Sequence, residues 1–168
     1  MRMVSRCLLP LTLLLSLPVL AEDAKPTFKL DGHELVLPSP ITFKSGTDTL
    51  TEESTPALEY VRAYLEAKPY ISALRIEGHL DTAASQPLTE KRALAVARWL
   101  VEKGVDCKRL VPVGFGNTKP VAENATPEGK AKNRRMAFIN AALRDRPIGG
   151  QPVDGGGKLA GDPCAKKE

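Results

Sequence analysis

The segment from Leu74 to Val105 decides the fold and reads LRIEGHLDTAASQPLTEKRALAVARWLVEKGV. Apolar and polar residues alternate at its start, which predicts a strand over residues 71–77. After a loop, apolar residues recur at helical spacing, at Ala93, Val96, Ala97 and Leu100. We predict a helix here, with Thr89 as its N-cap and Gly104 as the residue that ends it.

Similar patterns continue on both sides of this segment. Strands are predicted at residues 34–37 with 41–43, at 71–77, at 110–115 and at 136–143. Helices are predicted after three caps, Thr51, Thr89 and Thr126. The order β-α-β-α-β-α-β predicts an α/β (α+β) two-layer sandwich, with a mixed sheet and the helices on one face.

The first residues have the layout of a secretory signal peptide. A short basic region precedes an almost unbroken apolar run over residues 8–20, and Ala21 is followed by polar residues. The run is shorter than the roughly 20 residues that a membrane span needs, so we predict cleavage after Ala21. Cys7 precedes the run, whereas a lipoprotein carries its acylated cysteine after it. We therefore expect a soluble protein in the periplasm.

These patterns divide the chain into four parts. We predict the signal peptide at 1–21, a short linker at 22–34, one domain at 35–143 and a Gly/Pro-rich tail at 144–168 that we expect to be irregular. The short linker leaves no room for a transmembrane barrel, and no later segment is long and apolar enough to span a membrane.

The charge of the predicted mature chain argues against a nucleic-acid partner. Cleavage removes two arginines and no acid, which lowers the formal net charge from +4 to about +2. Few aromatic residues are interleaved with the basic ones. Proteins that bind nucleic acid usually carry a much stronger basic patch.

Two cysteines, Cys107 and Cys164, remain after cleavage. An even count in an oxidising compartment allows one disulfide, which would tie the tail to the domain. Two free thiols are the alternative.

Asp81 and Arg92 are the first candidate site residues. Asp81 follows the end of a predicted strand, where ligands of α/β sheets tend to lie. Arg92 falls in the first turn of the predicted helix, where the helix dipole disfavours a cation. An arginine beside free helix N–H groups forms a strong carboxylate site, and an aspartate across the loop could receive an ammonium. The alternative is an Asp81–Arg92 salt bridge that only closes the loop.

Other kinds of site are poorly supported. His79 and His33 are too scattered for a zinc site, and we expect His79 to bond to backbone. The chain offers no nucleophile–histidine set and no phosphate-loop pattern. We expect no metal, no cofactor and no catalytic residue.

Four ordered motifs resemble the peptidoglycan-binding domain shared by OmpA, Pal and MotB. The resemblance covers residues from about 35 to 143. The motifs are Gly78-His79-Leu80-Asp81, Leu88-Thr89-Glu90-Lys91-Arg92-Ala93, Gly114-Phe115-Gly116 with Pro120, and Asn133-Arg134-Arg135.

The resemblance implies non-covalent binding of the peptidoglycan stem peptide at its diaminopimelate residue. Asp81 would hold the ammonium of that residue and Arg92 its carboxylate, while Arg134 would help to line the pocket. The loop at Ser45, Gly46 and Thr47 would form another wall. Without the resemblance, Arg134 and Arg135 have a plainer interpretation as a solvated helix end.

This chain departs from the family pattern beside Asp81. Leu80 stands where the family has threonine, and the loop between Asp81 and Arg92 is shortened. We therefore consider two functions. The first is a stand-alone periplasmic module that binds peptidoglycan, with envelope or outer-membrane proteins as further partners. The second is a degenerate domain that binds proteins in the envelope without binding peptidoglycan. A hydrolase is a third and weaker alternative.

Overall fold

The computed structural model describes residues 27–82 and 86–165. The predicted signal peptide lies outside the described residues. In chain order the elements are β1 (Leu30–Asp31), β2 (Glu34–Leu35), α1 (Thr55–Ala67), β3 (Ile71–His79), α2 (Gln86–Glu102), β4 (Leu110–Gly116), α3 (Pro127–Asn133), β5 (Arg135–Leu143), β6 (Arg146–Pro147) and β7 (Lys158–Leu159). No helix in these described ranges is long and apolar enough to cross a membrane.

The strands form one mixed sheet with β3 near its centre. The order is β1-β2-β5-β3-β4-β7, and β6 pairs with β5. Strand β3 runs parallel to β4 and antiparallel to β5. The carboxyl ends of β3 and β4 therefore meet the amino end of β5 at one edge of the sheet, where His79 is paired with both Gly116 and Arg135.

Helices α1 and α2 pack on one face of this sheet. Their buried stripes meet the side chains of Leu74 and Ile76 from β3 and of Phe138 from β5 in the main hydrophobic core. The predicted fold class, a mixed sheet with helices packed on it in the order β-α-β-α-β-α-β, is confirmed. Helix α3 begins as predicted, because the Thr126 side chain accepts a hydrogen bond from the backbone N–H of Gly129 at 3.0 Å.

The N-terminal strands differ from the prediction. Strand β1 lies inside the predicted linker, and β2 is only two residues long. The strand piece predicted at 41–43 contributes a single bridge, between Phe43 and Leu50. Pro38 and Pro40 precede it, and proline has no N–H to donate to a ladder of strand hydrogen bonds.

The C-terminal tail is more ordered than we predicted. Strand β7 pairs antiparallel with the edge strand β4, and Val153 packs on Ala73 and Ala141, on the sheet face opposite the helices. A Cβ atom at Gly157 would lie 2.6 Å from the Phe115 ring. The run of glycines therefore lets the tail lie directly on the sheet.

A disulfide joins Cys107 to Cys164, as predicted, with the two Cα atoms 5.2 Å apart. Cys107 lies in the 3₁₀ turn just before β4, and Cys164 follows β7. The bridge and the β7 ladder therefore anchor the tail to the same edge of the sheet.

We expect the disulfide to contribute measurably to stability. Closing a loop of this sequence separation, 57 residues, removes conformational entropy from the unfolded chain, worth about 4 kcal/mol. Cys164→Ser should lower the free energy of unfolding in urea by about this amount. Reductant should lower the urea midpoint of the wild type and leave that of Cys164→Ser unchanged. Equal midpoints for the oxidised wild type and Cys164→Ser would contradict this expectation.

Candidate functional site

Helix α2 lies unusually close to the backbone of the two central parallel strands. A Cβ atom added at Gly78 would lie 2.5 Å from the Thr89 carbonyl oxygen, and one at Gly114 would lie 2.7 Å from the Thr89 hydroxyl. Only glycine permits this approach, since any side chain would occupy the space of the helix backbone. The glycines of the first and third motifs thus set the position of the amino-terminal half of α2.

Thr89 holds this contact with its hydroxyl group. The hydroxyl donates to the Gln86 carbonyl oxygen at 2.7 Å and accepts from the backbone N–H of Gly116 at 3.1 Å. The prediction that Thr89 caps the helix is wrong, because α2 begins at Gln86 and Thr89 lies inside it, fully buried. Arg92 is consequently in the second turn, beyond the free N–H groups and the strongest part of the dipole.

Asp81 forms an ion pair with Arg134. The Nη1 atom of Arg134 lies 3.0 Å from Oδ2 of Asp81, and the side chains are 47% and 15% exposed, respectively. This pair follows from the sheet, because Arg134 directly precedes β5, whose first residue is paired with His79 at the end of β3. A direct Asp81–Arg92 salt bridge, the alternative from the sequence, is not the observed arrangement.

Arg92 instead faces the loop before α1. Its Nε atom donates to the Thr47 carbonyl oxygen at 2.8 Å, and its guanidinium lies 4.7 Å from the centre of the Phe43 ring. Burial lowers the pKa of Arg92 below its usual value, and the negative charge of Asp48 partly offsets this effect. Arginine stays protonated nevertheless, so the site contains a partly desolvated cation whose described hydrogen bond uses only its Nε atom.

The structure brings Thr47 to Arg92, whereas Ser45 and Gly46 lie exposed in the same loop. The loop is held by its own hydrogen bonds. The N–H and the hydroxyl of Thr47 both donate to the Lys44 carbonyl oxygen at 3.0 Å, and the Thr47 hydroxyl accepts from the N–H of Thr49 at 3.1 Å. This bonding fixes the Thr47 carbonyl that Arg92 uses.

Arg92 and Arg134 line the same recess beside Phe43 and Met136. Its volume is about 20 Å³, enough for roughly one water molecule. A larger ligand does not fit this recess as it stands, and one of its walls, Arg134, is held by the ion pair with Asp81. Exposed ion pairs contribute at most about 1 kcal/mol, so opening this pair has a small cost.

His79 belongs to a network on the opposite face of the sheet. Its Nε2 atom is 3.0 Å from Oε2 of Glu77, and its ring stacks on Phe115. We expected His79 to bond to backbone, but its partner is this carboxylate side chain. Burial lowers the pKa of His79, more than Glu77 raises it, so the ring is neutral and donates from Nε2. Burial alone would raise the pKa of Glu77, but the hydrogen bonds from His79 and Arg75 lower it.

In the described ranges no group of histidine, cysteine and carboxylate side chains could hold a metal ion.

Two residues of the site were missed by the sequence analysis. Phe43 supports the Arg92 guanidinium, and Thr89 bonds to β4. The sequence signal for Phe43 was an aromatic residue directly before the predicted loop wall. In the sequence, Thr89 has the pattern of a helix N-cap. Only the folded structure shows that its hydroxyl group bonds to the N–H of Gly116.

We expect Thr89→Val to destabilise the fold while Thr89→Ser does not. Valine has a similar shape but leaves the buried N–H of Gly116 without its acceptor, which costs about 1–3 kcal/mol. Serine retains the hydroxyl group. Urea unfolding of the two variants provides the measurement, and a loss for serine with none for valine would show that packing of the threonine methyl group, and not the hydrogen bond, matters.

Comparison with known proteins adds a family match to this geometry. The model of the OmpA family matches residues 42–134. The peptidoglycan-binding protein ArfA of Mycobacterium tuberculosis is 38% identical over 104 residues, which are 60% of this chain and 32% of that protein. The chain thus spans about a third of the length of this relative. The outer-membrane lipoprotein YfiB of Pseudomonas aeruginosa is 34% identical over 113 residues, which are 65% of this chain and 67% of the lipoprotein.

A solved structure shows the same fold. The peptidoglycan-associated lipoprotein from Burkholderia pseudomallei superposes with a TM-score of 0.53 at 27% identity. The match covers 59% of this chain and 86% of the lipoprotein chain.

Proposed function

Because this chain belongs to the OmpA family, we propose that it binds peptidoglycan non-covalently through the diaminopimelate residue of the stem peptide. Two relatives are named for peptidoglycan, which supports the polymer as the ligand. The choice of diaminopimelate rests on the charges of the site. The side chain of this residue ends in an ammonium and a carboxylate on one carbon, so its receptor needs an anion and a cation side by side.

The observation that carries the proposal is the state of Arg92. The guanidinium is partly buried, packs on Phe43 and uses Nε for the Thr47 carbonyl, so its terminal NH₂ groups remain to receive a carboxylate. A charge-assisted hydrogen bond of this kind contributes roughly 1.5–3 kcal/mol. Partial desolvation strengthens the attraction to an incoming anion.

The second charge comes from Asp81. When Arg134 moves away, the Asp81 carboxylate becomes free for the ligand ammonium. The exposed Arg134 side chain can then turn to the same ligand carboxylate as Arg92. The ligand then exchanges one ion pair for two. Arg134 serves as a mobile wall of the pocket, and the fixed carbonyl of Thr47 sets its other side.

One observation favours the alternative of a protein-interaction module. The recess is nearly closed, and Asp81 already has a cation partner in Arg134. The loop between Asp81 and Arg92 is also shorter in sequence than the family pattern. An envelope module that binds only proteins would keep this ion pair closed.

We place the protein in the periplasm, associated with the cell wall or the outer membrane. A soluble module that binds the wall without cleaving it matches the absence of a nucleophile–histidine set in the sequence. A relative named as an outer-membrane lipoprotein supports the compartment.

Co-sedimentation with sacculi tests the proposal. The mature protein should pellet with sacculi that contain diaminopimelate, and Asp81→Ala or Arg92→Ala should weaken binding by about tenfold to a hundredfold, because each removes one charge-assisted contact. Arg62→Ala is the matched control, since Arg62 is an arginine on α1 paired with Glu59 and Glu66 away from the site. Its binding should equal that of the wild type.

A second kind of sacculus distinguishes binding to diaminopimelate from binding to peptidoglycan of any composition. Sacculi with lysine at this position of the stem lack the carboxylate that Arg92 would bind, so they should retain much less protein. Equal retention on both kinds of sacculi would refute diaminopimelate recognition. Failure of the wild type to pellet at high micromolar protein would favour the protein-interaction module, and release of soluble muropeptides would reveal an enzyme.

A further inference from the structure

A second concave surface lies on the outer side of α2, and we name it the Trp99 groove. It runs between the helix and the loop at 48–50, has a volume of about 480 Å³, and its wall includes Asp48, Lys91, Ala95, Arg98, Trp99 and Glu102. Along α2, Lys91, Ala95, Arg98 and Glu102 are three or four positions apart and form one stripe, which the adjacent Trp99 widens. The size falls within the usual range of small-ligand sites, roughly 300–1,000 Å³.

The groove combines an aromatic wall with unused polar groups. Trp99 packs part of its indole ring on the main core and lines the groove with the rest. The Nε atom of Arg98 is buried and has no hydrogen-bond partner among the described residues. Ala95 lies about one helical turn before both of them, and its small side chain leaves room for a ring-shaped ligand. The basic side chains of the groove, Lys91 and Arg98, are balanced by Asp48 and Glu102, which favours a neutral ligand rich in hydrogen-bonding groups.

The groove adjoins the proposed peptide site through residues that are neighbours in sequence. Asp48 lines the groove and directly follows Thr47, whose carbonyl binds Arg92, and Lys91 is next to Arg92 on the helix. Arg92 and Trp99 are seven positions apart, which corresponds to about 10 Å along α2. A ligand that occupies both places must span this distance.

From this juxtaposition we propose that the Trp99 groove binds the amino-sugar chain to which the stem peptide is attached, an inference that rests on the proposed function. Diaminopimelate is the third residue of the stem, and the two residues before it extend about 7 Å. With the diaminopimelate side chain at one end and the lactyl group at the other, the extended link is longer than the distance between Arg92 and Trp99, so a partly bent stem can reach both places. The apolar face of a pyranose ring packs on the indole in place of Lys103, whose Nζ atom lies 5.4 Å from the centre of the ring. The hydroxyl and acetamido groups of the sugar bond to Arg98, Asp48 and Glu102.

The experiment compares two ligands by calorimetry: the tripeptide L-Ala–D-Glu–diaminopimelate, and the same tripeptide attached to its disaccharide. The disaccharide ligand should bind the wild type about tenfold more tightly. Ala95→Gln fills the groove with a residue that suits a helix, and it should abolish this gain without changing the affinity for the tripeptide. Ala63→Gln on α1, at another half-buried alanine, is the matched control and should change neither affinity.

Trp99 is the one tryptophan of the chain, so its fluorescence reports directly on the groove. The disaccharide ligand should shift the emission and the tripeptide should not. Equal affinity of the wild type for the two ligands, or an Ala95→Gln variant that keeps the gain, would overturn the glycan site and leave the peptide site intact. If neither ligand binds the wild type, the proposed function fails and the glycan site fails with it.

Discussion

The close approach of α2 to the backbone of β3 and β4 is the constraint on which the rest of the structure depends. Gly78 and Gly114 offer no side chain in this layer, and the Thr89 hydroxyl bonds across it to the N–H of Gly116. Packing at this density permits little displacement, because a single added carbon would overlap with backbone atoms. The helix therefore presents Arg92 at a fixed height above the end of β3.

The sheet provides the other half of the site through strand order. Because β5 lies beside β3, the start of β5 brings Arg134 to the residue that follows β3, which is Asp81. Residues far apart in sequence thus form a small set of charges at one edge. The C-terminal tail packs away from this site, on the sheet face opposite the helices. Its strand β7 pairs with β4 at the edge of the sheet, where the disulfide holds the tail.

Periodicity and caps were sufficient to predict the order of the main elements, since each has an apolar stripe and a turn residue at its end. They could not identify the partners of single side chains. Thr89 has the sequence signature of a cap, yet the helix begins one turn earlier and the hydroxyl serves β4. Asp81 and Arg92 are candidate site residues from their motifs, but their contacts in the structure are with Arg134 and Thr47, because strand pairing and loop geometry decide those distances. Glycine content predicted an irregular tail; the same glycines permit its close packing on the sheet.

If Arg92 and Asp81 together receive one zwitterionic residue of the stem peptide, nuclear magnetic resonance can detect the binding at each of the groups involved. We would titrate ¹⁵N-labelled protein with the tripeptide L-Ala–D-Glu–diaminopimelate and follow the Nε–H resonance of Arg92 with the backbone amides of Asp81 and Thr47. Binding at this site should shift the three resonances together along one saturating curve. If they stay unmoved at millimolar tripeptide, or if the shifts occur only elsewhere on the domain, the site does not bind this ligand.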